Sequence, residues 1–233
     1  AKFDSISFIE GDILNLKIPY KNFDYIIHAG SDLKVKNKNE ENYFNELTIG
    51  TKKIFDLPNK NKNAKILFIS SGAVYGPVTN AKPIKESDII SSKFFTNDIY
   101  SLGKTFAEIY AKLYTQSLGK KIIIARGFSF IGPFQQFDRG FAITDFIKMS
   151  VKNKNIIINN AENIYRSYMY IADLIVWLFF ILINGKNGQA YNVGSNKEIS
   201  LKNLSKKIVK ITKSKSKIIL KNNNSLNKKN FYV

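Results

Sequence analysis

The stretch Lys65-Ile66-Leu67-Phe68-Ile69-Ser70-Ser71-Gly72-Ala73-Val74-Tyr75-Gly76 carries the pattern that decides the fold. Ile66 to Ile69 is a short, wholly apolar run, the form taken by a strand covered on both faces of a parallel sheet. Ser70-Ser71-Gly72 follows it at once, and as a tripeptide it is simply a good turn. In open α/β sheets, however, ligands gather beyond the carboxyl ends of the strands, so a hydroxyl here stands where chemistry is usually done.

Similar apolar runs occur at Ile6 to Ile9, Tyr25 to Ala29 and Ile122 to Ala125, and all are expected to be strands. Between them, Glu40 to Leu57 has helical spacing with Pro58 after it, and Tyr100 to Leu118 is a long amphipathic stretch ended by Gly119. Strands alternating with helices predict an α/β fold with a doubly wound parallel sheet. Past Gly132-Pro133 the texture changes. A strand at Ile156 to Ile158, a helix from about Ala172 to Asn184, a strand at Ala190 to Val193, a helix from about Ser200 to Thr212 and a strand at Lys217 to Leu220 are expected, with Asn222-Asn223-Asn224 in a loop. Residues 1–133 therefore read as one portion and 134–233 as a second, across a soft boundary that later segments can recross to cover a ligand.

Composition narrows the function. The 233 residues are 44% hydrophobic and 23% charged, which suits a globular core. The absence of cysteine removes disulfide scaffolds, thiolate metal sites and cysteine nucleophiles, and fits a reducing cytoplasm. The single histidine, His28, leaves no histidine cluster for a metal. The longest apolar run, Leu174 to Ile183, is far short of the ~20 residues of a membrane span and reads as a buried helix. The net charge of +18 raises the question of nucleic acid. Of the 36 basic residues, however, only Arg126, Arg139 and Arg166 are arginine, the residue that base and phosphate recognition favours. The lysines are read as a solvated surface, with neither nucleic acid nor membrane as partner.

Tyr100-Ser101-Leu102-Gly103-Lys104 sets a tyrosine and a lysine four residues apart, on one face of the expected helix. A phenol titrates near ~10 and needs a neighbouring cation to act as a base at neutral pH. Lys104 could be that cation, although the pair alone also fits an ordinary amphipathic face. With Ser71 some thirty residues earlier, the sequence offers a hydrogen-bond donor and a general base for one substrate hydroxyl. Gly103-Lys104-Thr105 is not a phosphate loop, because the glycine that motif requires falls on Asp98.

These residues together resemble the extended short-chain dehydrogenase/reductases, specifically the NAD-dependent epimerase/dehydratases that act on nucleotide sugars. The likeness runs in family order from about Ile6 to Leu204. It comprises Glu10-Gly11-Asp12-Ile13, Asp24 to Gly30, Ser70 to Gly76, the Tyr100 and Lys104 pair, Arg126 to Pro133, Arg166 to Asp173, and Tyr191-Asn192-Val193-Gly194. The resemblance implies a Rossmann-like sheet with a smaller C-terminal α/β portion that binds substrate. It implies Ser71, Tyr100 and Lys104 as catalytic residues. NAD would be held by Asp12, Ile13, Ala29, Gly30, Ser31, Ser70, Tyr100, Lys104 and Phe128, and a nucleotide-diphosphate sugar by Ser71, Ser129 and Arg166. A homodimer pairing two helices per subunit, one of them beginning near Tyr100, is also implied.

The departures from the family are informative. The family's opening strand, Gly-x-x-Gly-x-x-Gly turn and helix are not matched, so the sequence reads as lacking the first β-α-β unit and as cut at both ends. NADP stays open beside NAD, since the acidic residue that reads the ribose 2′-hydroxyl belongs to that unit. Ser129 stands where the family usually has asparagine, and Ser167 where it usually has aspartate. The 4,6-dehydratases place an acidic pair after the strand-end hydroxyl; Gly72 and Ala73 stand there and neither can move a proton. The expected activity is therefore epimerisation or 4-keto reduction, with dehydratase chemistry or a non-catalytic binding role as alternatives.

Overall fold

The computed structural model describes residues 6–17, 22–31, 39–57, 61, 63–76, 82–88, 98–137, 139–159, 164–221 and 230–232. At its centre β2 (Lys65–Ser71) and β3 (Lys121–Gly127) run parallel, with Ile66 opposite Ile122 and Ser71 opposite Gly127. β1 (Tyr25–His28) pairs with the outer side of β2 and β8 (Ala190–Val193) with the outer side of β3, giving a four-stranded parallel sheet of order β1-β2-β3-β8.

Side chains alternate across a strand, so each central strand feeds two cores. On one face Ile66, Phe68, Ile122 and Ile124 pack under α3 (Ile99–Leu118) with Ala107, Ala111 and Phe55. On the other, Leu67, Ile123, Ala125 and Val193 pack under α5 (Ile171–Asn184) with Leu174 and Ile181. Each of these fully buried aliphatic side chains stabilises by roughly 1.5–3 kcal/mol relative to exposure.

The helical stretch at 40–57 is bent. α1 (Glu40–Asn45) passes through a π-helical turn, Glu46–Gly50, into α2 (Thr51–Phe55). The Thr48 and Thr51 hydroxyls donate back to the Phe44 and Leu47 carbonyls, giving the widened turn substitute partners. α3 starts at Asp98, whose Oδ1 accepts from the Tyr100 amide at 3.2 Å, and stops at Gly119, which takes the left-handed φ of 63° that ends helices.

The remaining elements form the smaller α/β portion. α4 (Ala142–Val151), β5 (Ile156–Asn159), β6 (Ile164–Ser167), β9 (Glu198–Ser200), α6 (Leu201–Ile211) and β10 (Ile218–Lys221) share a core built on Ile143, Phe146, Ile156, Leu204 and Ile208. The short pair β4 (Phe130–Ile131) and β7 (Met169–Tyr170) leads from β3 toward α5, and β11 (Asn230–Tyr232) pairs with β6. The chain does recross position 133, because α5 and β8 lie beyond it and complete the sheet.

Two expectations differ from what forms, and one helix forms where none is expected. Ile6 to Ile9 is not a strand: Phe8 is 93% exposed, and no described strand lies beside the segment to satisfy its backbone. α4 was not foreseen, its apolar positions lying among Thr144, Asp145 and Lys148. The run Leu174 to Ile183 is helical but only half covered, with Val176, Trp177, Phe179 and Phe180 exposed on the side away from the sheet. The asparagine run 222–224 lies outside the described residues. Among the described residues no helix is long and apolar enough to cross a membrane, and no group of histidine and carboxylate side chains could hold a metal ion.

Candidate active site

On α3, Tyr100, Lys104 and Glu108 recur at a four-residue interval and so share the face turned to the sheet. Gly103, between the first two, lies against Leu47 of the π-helical turn so tightly that a Cβ there would meet Leu47 Cβ at 2.7 Å. The absence of a side chain at 103 is what lets α3 sit this close. It thereby fixes the height of Tyr100 and Lys104 over the strand ends.

Ser71 ends β2, and its Oγ accepts from the Ala73 amide at 3.1 Å at the start of the tight turn Gly72–Tyr75. With that lone pair engaged, its proton is free to donate outward. The Ser71 hydroxyl and that of Ser31, the latter just beyond β1, lie near enough to the Tyr100 phenol to act on its pKa. Burial pushes the Tyr100 phenol above its ordinary range, the Asp98 charge adds to that, and the two serine hydroxyls oppose it.

Lys104 is 4% exposed; its Nζ donates to the Ile69 carbonyl at 2.8 Å and lies 5.1 Å from the Phe68 ring centre and 5.9 Å from that of Tyr100. Burial pulls its pKa down to about 8, against the charge of Glu108, which raises it. The expected depression of the Tyr100 pKa by Lys104 is therefore not what this geometry gives. The ammonium is turned to the β2 backbone, and desolvation of the phenol dominates.

Three groups that the sequence reading left without a role surround this cluster. His28, at the end of β1, is buried; its Nε2 meets the Thr51 hydroxyl at 2.9 Å, and because that hydroxyl donates to the Leu47 carbonyl, the histidine is the donor. Burial first, and then the Lys104 charge, lower its pKa to about 4, so it is neutral. Glu108 and Arg126, 2% and 3% exposed, form a two-pronged pair, with Arg126 Nη2 2.7 Å and Nε 3.0 Å from the carboxylate oxygens. Desolvation would lower the Arg126 pKa, but hydrogen bonds and the charge of Glu108 override it and hold the guanidinium above its ordinary range. The signal available for Glu108 was its spacing, one helical turn beyond Lys104.

The remaining expected site residues are distributed as follows. Ala29 and Gly30 are exposed at the carboxyl end of β1, next to Ser31. The Ser70 side chain turns inward, its Oγ donating to Glu108 at 2.6 Å, which commits the hydroxyl to the interior rather than to a ligand. Phe128 is buried, stacked on Tyr75 and pressed against Gly194. Exposed Asp12 accepts from the Leu14 amide at 2.7 Å, and Ile13 packs on Gly50. The Ser129 carbonyl accepts from the Met169 amide at 3.0 Å. Arg166 lies on β6, outside the four-stranded sheet, and donates from Nη1 to the Tyr165 carbonyl at 2.7 Å. A cavity of about 520 Å³ opens elsewhere, between the start of α5 and the end of β8, lined by Tyr168, Asp173, Trp177 and Ser195.

Ser31, Ser71, Tyr100 and Lys104 thus meet at the carboxyl ends of β1 and β2, and the family description that matches residues 1–194 is the NAD dependent epimerase/dehydratase family. The chain belongs to that family. A dTDP-D-glucose 4,6-dehydratase of Dictyostelium discoideum is 29% identical over 219 residues, which is 91% of this chain and 50% of that protein. The chain spans about half the length of the curated relatives it matches. Among solved structures, a UDP-N-acetylglucosamine 4-epimerase from Methanobrevibacter ruminantium, in complex with UDP-N-acetylmuramic acid, superposes with a TM-score of 0.82 at 22% identity. That match covers 97% of this chain and 73% of the other. A UDP-glucuronic acid 4-epimerase from Bacillus cereus in complex with NAD gives a TM-score of 0.79 at 23% identity, covering 92% and 68%. The family is enzymatic and NAD dependent, and its fold is the Rossmann-type sheet described above.

The donor set at the strand ends fits the nicotinamide ribose end of such a cofactor. Hydroxyls of Ser31 and Tyr100, the Lys104 ammonium and the exposed backbone of Ala29 and Gly30 converge there.

Proposed function

We infer that this chain is that of an NAD-dependent nucleotide-sugar epimerase, or of a related 4-keto-sugar reductase. The observation that supports this most is the placement of Tyr100 and Lys104 one helical turn apart on α3, with the Lys104 ammonium 5.9 Å from the Tyr100 ring centre and the Ser71 hydroxyl near enough to act on the phenol. Ser71 would hold the reacting sugar hydroxyl by donating to it, and Tyr100 Oη would take that hydroxyl's proton. The dinucleotide supplies the hydride acceptor. For that step Tyr100 must start as the phenolate, and the Lys104 ammonium, 5.9 Å from the Tyr100 ring centre, would favour that ionised form. Arg166, in the C-terminal portion, would bind the substrate diphosphate, a role suited to its planar fork of donors.

Epimerisation or reduction is favoured over elimination by the carboxylates around Ser71. Gly72 and Ala73 follow it in the tight turn. Glu86 and Asp88, the acidic residues of the following loop, are committed to backbone amides: Glu86 Oε1 accepts from Asn192 and Asp88 Oδ2 from Lys85. Elimination beside a ketone needs an acid and a base, and each of these carboxylates already has one oxygen engaged by a backbone amide.

A homodimer is supported by the outer face of α3, where Phe106, Ile109 and Leu113 are 42%, 55% and 51% exposed at helical spacing. The cytoplasm, where nucleotide sugars and NAD are both at hand, is the proposed location. The reading is tested by incubating the protein with NAD and either UDP-glucose or dTDP-glucose and following the sugar by NMR. Inversion at C4 with no 4-keto-6-deoxy product is expected. Accumulation of the 4-keto-6-deoxy sugar would make the chain a dehydratase.

A further inference from the structure

We propose that the buried Glu108–Arg126 pair is a positioning device for the Ser71 and Tyr100 hydroxyls, one that locks the catalytic helix to the ends of β2, β3 and β8. The inference rests on the proposed role of Ser71 and Tyr100. Glu108 is on α3 two turns beyond Tyr100, and its carboxylate accepts from Ser70 Oγ at 2.6 Å and from Arg126 at 2.7 and 3.0 Å. Ser70 is the chain neighbour of Ser71, so the bond ties the end of β2 directly to the helix that bears Tyr100. Arg126 extends the lock: its Nη1 donates to the Tyr75 hydroxyl at 2.6 Å, and that hydroxyl donates to Asn192 Oδ1 at 2.8 Å. Tyr75 closes the turn that begins at Ser71, and Asn192 belongs to β8.

The chemistry of the pair favours geometry over stability as its purpose. Two charges taken out of water recover little net stability against apolar side chains of similar volume, whereas their hydrogen bonds are directional and admit one arrangement. Every polar atom the carboxylate meets belongs to an element that carries or borders a proposed catalytic group. The same charge also faces Lys104, whose ammonium it supports against burial.

The test replaces the pair together, Glu108→Met with Arg126→Met, so that no lone charge is left buried. A crystal structure of this variant is compared with that of the parent, and turnover of UDP-glucose with NAD is measured for parent, double variant and Tyr100→Phe. A shift of the Tyr100 hydroxyl by about 1 Å relative to Ser71 is expected. With it kcat should fall about 100-fold, the scale of a 1 Å misplacement, while KM moves by less than about 3-fold. If the double variant does not fold, Ser70→Ala cuts only the link to β2, and the same shift with about 10-fold loss of kcat is expected. A variant structure in which the Ser71 and Tyr100 hydroxyls keep their parental separation overturns the proposal whether or not UDP-glucose is turned over. Parental turnover in Tyr100→Phe overturns the catalytic reading instead.

Discussion

Gly103 and Leu47 touch at a distance no side chain at 103 would permit: a Cβ built there meets Leu47 Cδ1 at 2.6 Å and Cβ at 2.7 Å. The contact joins the catalytic helix to the π-helical turn, and Leu47 Cβ cannot swing away as the end of a long side chain could. Gly103→Ala should therefore destabilise the protein by about 1–3 kcal/mol, even though alanine gains up to ~1 kcal/mol as a helix former. Urea denaturation measures the loss. In a double-mutant cycle with Leu47→Ala, which removes the Cδ1 contact but keeps Cβ, the combined loss should be smaller than the sum of the two single losses by about 0.5 kcal/mol or more, and strictly additive losses would place the strain elsewhere.

His28 makes the protein acid-labile. Its pKa falls from 6.5 to about 4 on folding, so the folded state resists a proton the unfolded chain accepts. Stability is full above pH 6.5 and is lost as pH drops toward 4, by about 3 kcal/mol in total. His28→Gln should flatten that part of the pH profile of the urea midpoint. An unchanged slope between pH 6.5 and 4 would mean the carboxylates dominate there.

Lys104 stores the same kind of cost in a higher pH window. Holding a buried ammonium with a pKa of about 8 instead of 10.5 costs stability at neutral pH, and that cost fades as pH rises from 8 through 10.5. Lys104→Met should raise the stability at pH 7 by about 1–3 kcal/mol while removing turnover, the exchange expected at a functional site. A Lys104→Met protein less stable than the parent would show that the bond to the Ile69 carbonyl outweighs desolvation.

The outer face of α3 gives a prediction about assembly. Ile109→Glu puts a charge at the centre of the exposed Phe106, Ile109 and Leu113 stripe. Sedimentation equilibrium should report a dimer for the parent and a monomer for the variant. A parent that sediments as a monomer would leave that face without the proposed role.

The sheet was legible because its strands are covered on both sides. Runs such as Ile122 to Ala125 are uniformly apolar, and no helix of that length competes with the strand reading. Ile6 to Ile9 is apolar but for Ser7 and still does not pair, because a strand forms only where a neighbour offers backbone partners, and local sequence says nothing of neighbours. Ser71, Tyr100 and Lys104 were visible as spacing around a strand end and along one helix. Glu108, Arg126 and His28 were not given roles, since what matters in them is burial and partners that come from β1, β3 and α2. The direction of the Tyr100 shift also needed the structure, where desolvation and the turn of Lys104 toward Ile69 could be weighed.

The most direct test of the account is the turnover of Tyr100→Phe with NAD and UDP-glucose, the protein's thermal midpoint being checked alongside. Losing only the hydroxyl should lower kcat by at least about 100-fold, the scale of general acid–base catalysis, with a folded protein and little change in KM. A variant that keeps the parental kcat would contradict the account, since the proton would then be taken by a group other than Tyr100.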